Sequence, residues 1–166
     1  LLAPEDVAPP RVFAARCTVL PSFSGSRECS TVCSVNTPVP SAVAASAGML
    51  ACRRGGAIHS VVCAGLSVGA LRDRIVDAEA RVIVTADVGY RRGTPTPLKP
   101  MVDDAIAGLD PVRHIIVWRR ASPRCELTDE REHDFNELLA TPSPDCRAGP
   151  PSAENPPPGV HTSGAT

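Results

Sequence analysis

Three short runs of β-branched and aliphatic residues, AIHSVVC (57–63), RVIVTA (81–86) and HIIVW (114–118), alternate with two amphipathic stretches. This rhythm confines the chain to few folds. Each run is apolar at successive rather than alternate positions, the pattern of a strand covered on both faces. Between the first two, Ser67 can cap a helix that carries Val68, Leu71, Ile75 and Ala78 on one side and Arg72, Asp73, Arg74 and Asp77 toward water. Between the second and third, Met101, Val102, Ala105, Ile106 and Leu109 line one face of a helix expected to end near Gly108. Strand, helix, strand, helix, strand with short connections predicts right-handed crossovers. The expected fold is α/β, a mostly parallel sheet with flanking helices on both faces.

The flanking segments read differently. Residues 1–40 hold six prolines and no sustained period, so 1–37 is expected to be irregular, with one short strand near Val32 to Val35. SAVAASAGMLACRR (41–54) is rich in helix formers and is followed by the stop Gly55-Gly56. DEREHDFNELLA (129–140) predicts one more helix with Phe135, Leu138 and Leu139 inward. Residues 142–158 hold seven prolines, too many for a regular element. The expected division is therefore 1–37 irregular, 38–140 α/β, and 141–166 a Pro-rich linker with the polar end HTSGAT.

Composition removes several function classes. The net charge is −1, which argues against nucleic acid or a membrane surface held by bulk electrostatics, so any anion site must be local. No run approaches the ~20 apolar residues that span a bilayer, and LLAPEDVAPP lacks the basic and apolar stretches of a signal peptide, so a cytoplasmic location is expected. Seven cysteines include the pair Cys29 and Cys33, but no second Cys/His pair follows at zinc-ligand spacing; no metal site is expected, and the thiols read as free. Aromatics are 3% of the chain, so the core must be built from Ala, Val, Leu and Ile.

The chemistry-bearing residues follow strand ends. In an open parallel sheet, ligands bind outside the carboxyl ends of the strands. Gly65 follows the first apolar run, and Arg91, Arg92 and Gly93 follow the second. An arginine fork suits phosphate through parallel charge-assisted hydrogen bonds, and a neighbouring glycine allows close approach. The same residues are compatible with a solvated surface pair. At the other end, Thr162, Ser163, Gly164 and Thr166 supply hydroxyls and a glycine-permitted turn of the kind that wraps phosphate oxygens, and are equally compatible with a polar loop.

Taken in order, MLACRRGGAIHSVVCAGLSVGALRDRIVDAEARVIVTADVGYRRGTPTPLKPMVDDAI (49–106) resembles the N-terminal domain of AMP-forming acetyl-CoA synthetases, members of the adenylate-forming ligases. The resemblance continues through VRHIIVWRR and FNELLA to AENPPPGVHTSGAT, from about residue 38 to 166. It implies that Gly65, Arg91, Arg92 and Gly93 fall on coenzyme A contacts, within a coenzyme-A-side subdomain spanning 38–140. It also implies that Thr162, Ser163, Gly164 and Thr166 begin the loop that handles ATP phosphates. The implied ligands are acetate, ATP with Mg2+, and coenzyme A. Some positions depart from the family pattern: Thr94 stands where a second Arg is common, Ala165 replaces a Ser and His161 a Tyr. Pro157, Pro158 and Gly159 replace an apolar strand, and prolines cannot donate to a ladder, so a normal strand is not expected there. With no initiator Met and an end inside the phosphate loop, the chain is expected to be an enzyme fragment, inactive alone. Two rivals are a decayed or mistranslated relative with vestigial sites, and a free-standing nucleotide-binding module, for which CAGLSVGA is only a loose fingerprint.

Overall fold

The computed structural model describes residues 30–35, 49, 50, 52, 57–63, 66–91, 93–121, 125–140, 159 and 160, with backbone only at 30–35, 63, 91, 139, 159 and 160. Strands β1 (Ser30–Val35), β2 (Ile58–Cys63), β3 (Val82–Ala86), β6 (His114–Trp118), β7 (Glu132–Asp134) and β8 (Gly159–Val160) form one sheet in the order β7-β6-β3-β1-β2-β8. Every neighbouring pair is parallel. Strands β4 (Val88–Arg91) and β5 (Thr94–Pro97) make a separate antiparallel hairpin. Helix α1 (Val68–Asp77) joins β2 to β3, α2 (Lys99–Ile106) leads from the hairpin to β6, and α3 (Phe135–Ala140) follows β7.

The crossovers from β2 to β3 and from β3 to β6 step along the sheet in the same direction, so right-handed connections put α1 and α2 on one face. The packing agrees. Leu71 and Ile75 of α1 and Val102, Ala105 and Ile106 of α2 share one buried cluster with Val62, Ile83, Ile115 and Val117. On β6 the alternate residues His114, Ile116 and Trp118 are only half-buried, as alternation requires of the other face. There Phe135 of α3 meets Trp118 at 5.9 Å between ring centroids. The parallel α/β layout is therefore the expected one, with both complete crossover helices on the same side.

Several local features were legible. The Ser67 side chain accepts a hydrogen bond from the Ala70 N–H at 3.2 Å and caps α1. Gly108 takes φ +71 just past α2, and Met49, Leu50 and Cys52 are helical within the expected 41–54 helix. Val68, expected inward, is instead substantially exposed at the first position of α1. Arg72, expected to face water, donates to the Ala105 and Ala107 carbonyls at 3.0 and 2.8 Å. Those carbonyls end α2 without intrahelical partners, and a cation there also complements the helix dipole.

Two expectations need correction. The stretch 129–140 is not one helix, because its first half becomes β7, paired with Ile115 to Val117 of β6. Its acids do tertiary jobs: Asp134 accepts from the Asn136 and Glu137 N–H groups, so α3 can start only after it, and it pairs with Arg119. Glu132 pairs with buried Lys99 at 2.7 Å. At the other edge, Gly159 and Val160 do form a strand, in register with Ser60 and Val61, but only two residues long and starting directly after Pro158.

Ile115 is fully buried between the helices, so Ile115→Ala is expected to lower unfolding free energy by about 2–5 kcal/mol in urea titration. The Asp134 carboxyl is held below the usual carboxylate range: burial pushes it up, but Arg119 and the Asn136 and Glu137 N–H groups outweigh that. Its stabilisation is present above the ordinary carboxylate pKa of about 3.9 and is lost as pH falls below it. Asp134→Asn is expected to weaken the acid dependence of the urea midpoint between about pH 5 and pH 2.

Candidate functional site

Because the six-stranded sheet is all parallel, the carboxyl ends of β2, β3 and β8 lie along one rim of it. The chain exits β3 at Ala86 and reaches Asp87, which is 5% exposed and organises everything beyond it. One carboxylate oxygen accepts from the Val88 N–H at 2.7 Å and the Arg120 N–H at 2.9 Å; the other accepts from Arg120 at 2.9 Å and Ala121 at 2.8 Å. The Asp87 N–H donates to the Trp118 carbonyl, and the Asp87 carbonyl accepts from Leu98 and Lys99. A single residue thereby ties the end of β6, both ends of the hairpin and the start of α2 to the tip of β3.

The hairpin projects from this anchor. Its last ladder pair is Arg91 with Thr94, which leaves a two-residue connection whose second member, Gly93, has φ +81. Such a tight connection needs positive φ, and space is not the reason for glycine, since nothing lies within 4 Å of where a Cβ would sit. All four β5 residues are exposed, and Tyr90 and Val88 turn toward the body of the domain. The Arg120 guanidinium lies over the Tyr90 ring at 5.7 Å and the Trp118 ring at 4.9 Å.

Of the sequence-predicted residues, Arg91 ends β4 and Gly93 sits at the exposed tip, so the arginine segment forms the turn end of a hairpin. The Arg91 side chain, Arg92, Gly65, Thr162, Ser163, Gly164 and Thr166 lie outside the described residues. Sequence reasoning missed Asp87, the hairpin itself and the Tyr90, Trp118 and Arg120 group. An aspartate directly after a buried strand, followed by aromatic, arginine and glycine before the edge-tolerant TPTP, was the available signal.

Other reactive-looking groups are structural. Burial tends to lower the Lys99 ammonium, but hydrogen bonds and charge from Asp103 and Glu132 outweigh it, so the pKa is raised and the group stays charged. Burial raises the Cys125 thiol, with Asp87 adding to it, which makes it a poor nucleophile. His114 and His133 touch at 3.1 Å, but His114 begins β6, at the edge opposite the rim. Burial lowers its pKa, and His133 and Arg113 lower it further. Among the described residues there is no group of three or more His, Cys, Asp or Glu able to hold a metal ion. No helix among them is long and apolar enough to cross a membrane.

This parallel α/β fold has a counterpart among solved structures. The fold matches acetoacetyl-CoA synthetase from Streptomyces lividans with a TM-score of 0.64 at 19% identity, over 81% of this chain and 20% of that one. In sequence the chain is 47% identical over 120 residues to acetyl-coenzyme A synthetase of Wolinella succinogenes, which is 71% of this chain and 18% of that protein. It is 43% identical over 128 residues to the acetyl-coenzyme A synthetase of Halorhodospira halophila, which is 77% of this chain and 20% of that protein. The corresponding figures for acetyl-coenzyme A synthetase 2 of Pseudomonas putida are 42% over 132 residues, 80% of this chain and 20% of that protein. No protein-family model matches. The chain belongs to the acetyl-CoA synthetase family, and spans about a fifth of the length of the curated relatives it matches.

Asp87→Asn would replace one oxygen by an NH2 facing two of the three backbone N–H groups that now share a carboxylate. The expected loss is about 2–4 kcal/mol of unfolding free energy, with limited proteolysis at the hairpin appearing before global unfolding.

Proposed function

We propose that these 166 residues are the coenzyme-A-side part of an acetate–CoA ligase. The observation that carries this reading is the hairpin bearing Arg91, Arg92 and Gly93, anchored by Asp87 on the carboxyl rim of an all-parallel sheet, in a chain 42–47% identical to acetyl-coenzyme A synthetases. In this reading residues 38–140, together with β1 (Ser30–Val35) that pairs between β2 and β3, are the coenzyme A subdomain, with Gly65 and Arg91 to Gly93 contacting the nucleotide portion of coenzyme A. Arginine beside glycine fits that task, because a guanidinium can meet phosphate while the unhindered backbone admits a flat ring. Residues 141–166 lead to Thr162, Ser163, Gly164 and Thr166, which begin the grip on ATP phosphates. The parallel pairing of β8 with β2 supports this, since it points the carboxyl end of β8 toward the same rim as that of β2.

The proposed reaction has two displacements. An acetate oxygen attacks the α-phosphorus of ATP, forming acetyl-adenylate and releasing pyrophosphate; the coenzyme A sulfur then attacks the acetyl carbon and AMP leaves. Mg2+ accompanies the ATP phosphates and neutralises their charge. The contribution assigned to these residues is to bind and orient coenzyme A.

A second reading, a relative with vestigial sites, is favoured by the two-residue β8 directly behind Pro156, Pro157 and Pro158. Titration calorimetry of coenzyme A into the chain separates the two. Saturable binding is expected, weakened about tenfold or more in Arg91→Ala and by use of dephospho-coenzyme A, as loss of a charge-assisted phosphate contact requires. Absence of binding by a chain whose circular dichroism shows a folded α/β domain would establish the vestigial reading instead.

A further inference from the structure

Among the described residues the β4–β5 hairpin pairs with no strand but itself. A two-stranded ribbon is marginal in water, and this one is only four residues a side. Its orientation must therefore be set by contacts outside its own ladder. Asp87 fixes its two ends, but the stretch toward the tip has one described inward side chain of any size, Tyr90.

Tyr90 meets Arg120, and Arg120 is unusual in its own right. Its backbone N–H is gripped by both Asp87 carboxylate oxygens, and Nη1 of its guanidinium is buried with no hydrogen-bond partner among the described residues. A buried cationic donor without an acceptor is costly unless something else attracts it. The faces of Tyr90 and Trp118 are what attracts it here, at 5.7 and 4.9 Å, and they belong to the only tyrosine and the only tryptophan in the chain. In a sequence with 3% aromatics, both large polar rings have been placed at one guanidinium.

We propose that Arg120 is a positioning residue that clamps the hairpin to the end of β6 through Tyr90 and Trp118 and thereby holds Arg91, the next residue along β4, in place for its ligand. The clamp is a statement about the hairpin; its effect on coenzyme A rests on the reading of the site given above.

The test compares the wild-type 166-residue chain with Arg120→Met, Arg120→Lys and Tyr90→Leu. Amide hydrogen exchange is followed at Gly89, Tyr90, Arg91, Thr94 and Thr96, with Ile83 and Ile115 as references in the sheet. Arg120→Met and Tyr90→Leu are expected to speed hairpin exchange by about tenfold or more while the sheet amides change by less than about threefold. Arg120→Lys, which keeps a cation over the rings, is expected to stay near wild type, and coenzyme A affinity is expected to fall in step with hairpin exchange. Unchanged hairpin exchange in both Arg120→Met and Tyr90→Leu would overturn the clamp, as would an equal rise at hairpin and sheet amides. Loss of coenzyme A affinity in Arg120→Met with a rigid hairpin would also overturn it, by making Arg120 a direct ligand contact. If wild type binds no coenzyme A, the ligand assignment fails while the exchange data still decide the clamp.

Discussion

A buried carboxylate is tolerated only when its charge is answered on every side, and Asp87 meets that condition with backbone alone. Three N–H groups converge on it from the first residue of the hairpin and the chain after β6, while its own peptide groups bind Trp118, Leu98 and Lys99. An unanswered charge at such a depth would cost several kcal/mol. Backbone donors also have no rotamer freedom to lose, so the three segments they belong to are held in one relative position. The sheet's carboxyl rim depends on this point, because β3 and β6 would otherwise end in independent loops.

The three apolar runs, the Ser67 cap and the Gly108 stop were legible because each follows from local chemistry: β-branched residues in sequence, a hydroxyl before an amphipathic stretch, a glycine where φ turns positive. Strand order was not. The central position between β2 and β3 is taken by β1, STVCSV, whose serines and position in a proline-rich stretch gave it little weight beside its neighbours. Interior strands are specified by what pairs with them, and that information is absent from a six-residue window. DEREHDFNELLA failed for a related reason. Its acidic residues fit a solvated helix face as well as they fit the partners they meet, which are Lys99, Arg119 and the first turn of α3.

The site divides the same way. Arg91, Arg92 and Gly93 stood out because arginine beside glycine after a buried strand is a phosphate-directed arrangement, and the resemblance to acetyl-CoA synthetases attached a ligand to it. The supporting parts were silent. Asp87 works through oxygens that bind peptide groups, and Arg120 through rings at positions 90 and 118, relations that exist only once β3, β6 and the hairpin are assembled.

The pairing of β8 with β2 joins Ser60 to Gly159, about a hundred positions apart in the sequence. Every other neighbouring pair in the sheet joins segments nearer to one another, so this contact carries the largest loop-closure entropy. In kinetic terms β8 is expected to dock later than the other described strands, leaving the β2 edge open while they condense. During that interval the edge that awaits Gly159 and Val160 is available for pairing with another chain.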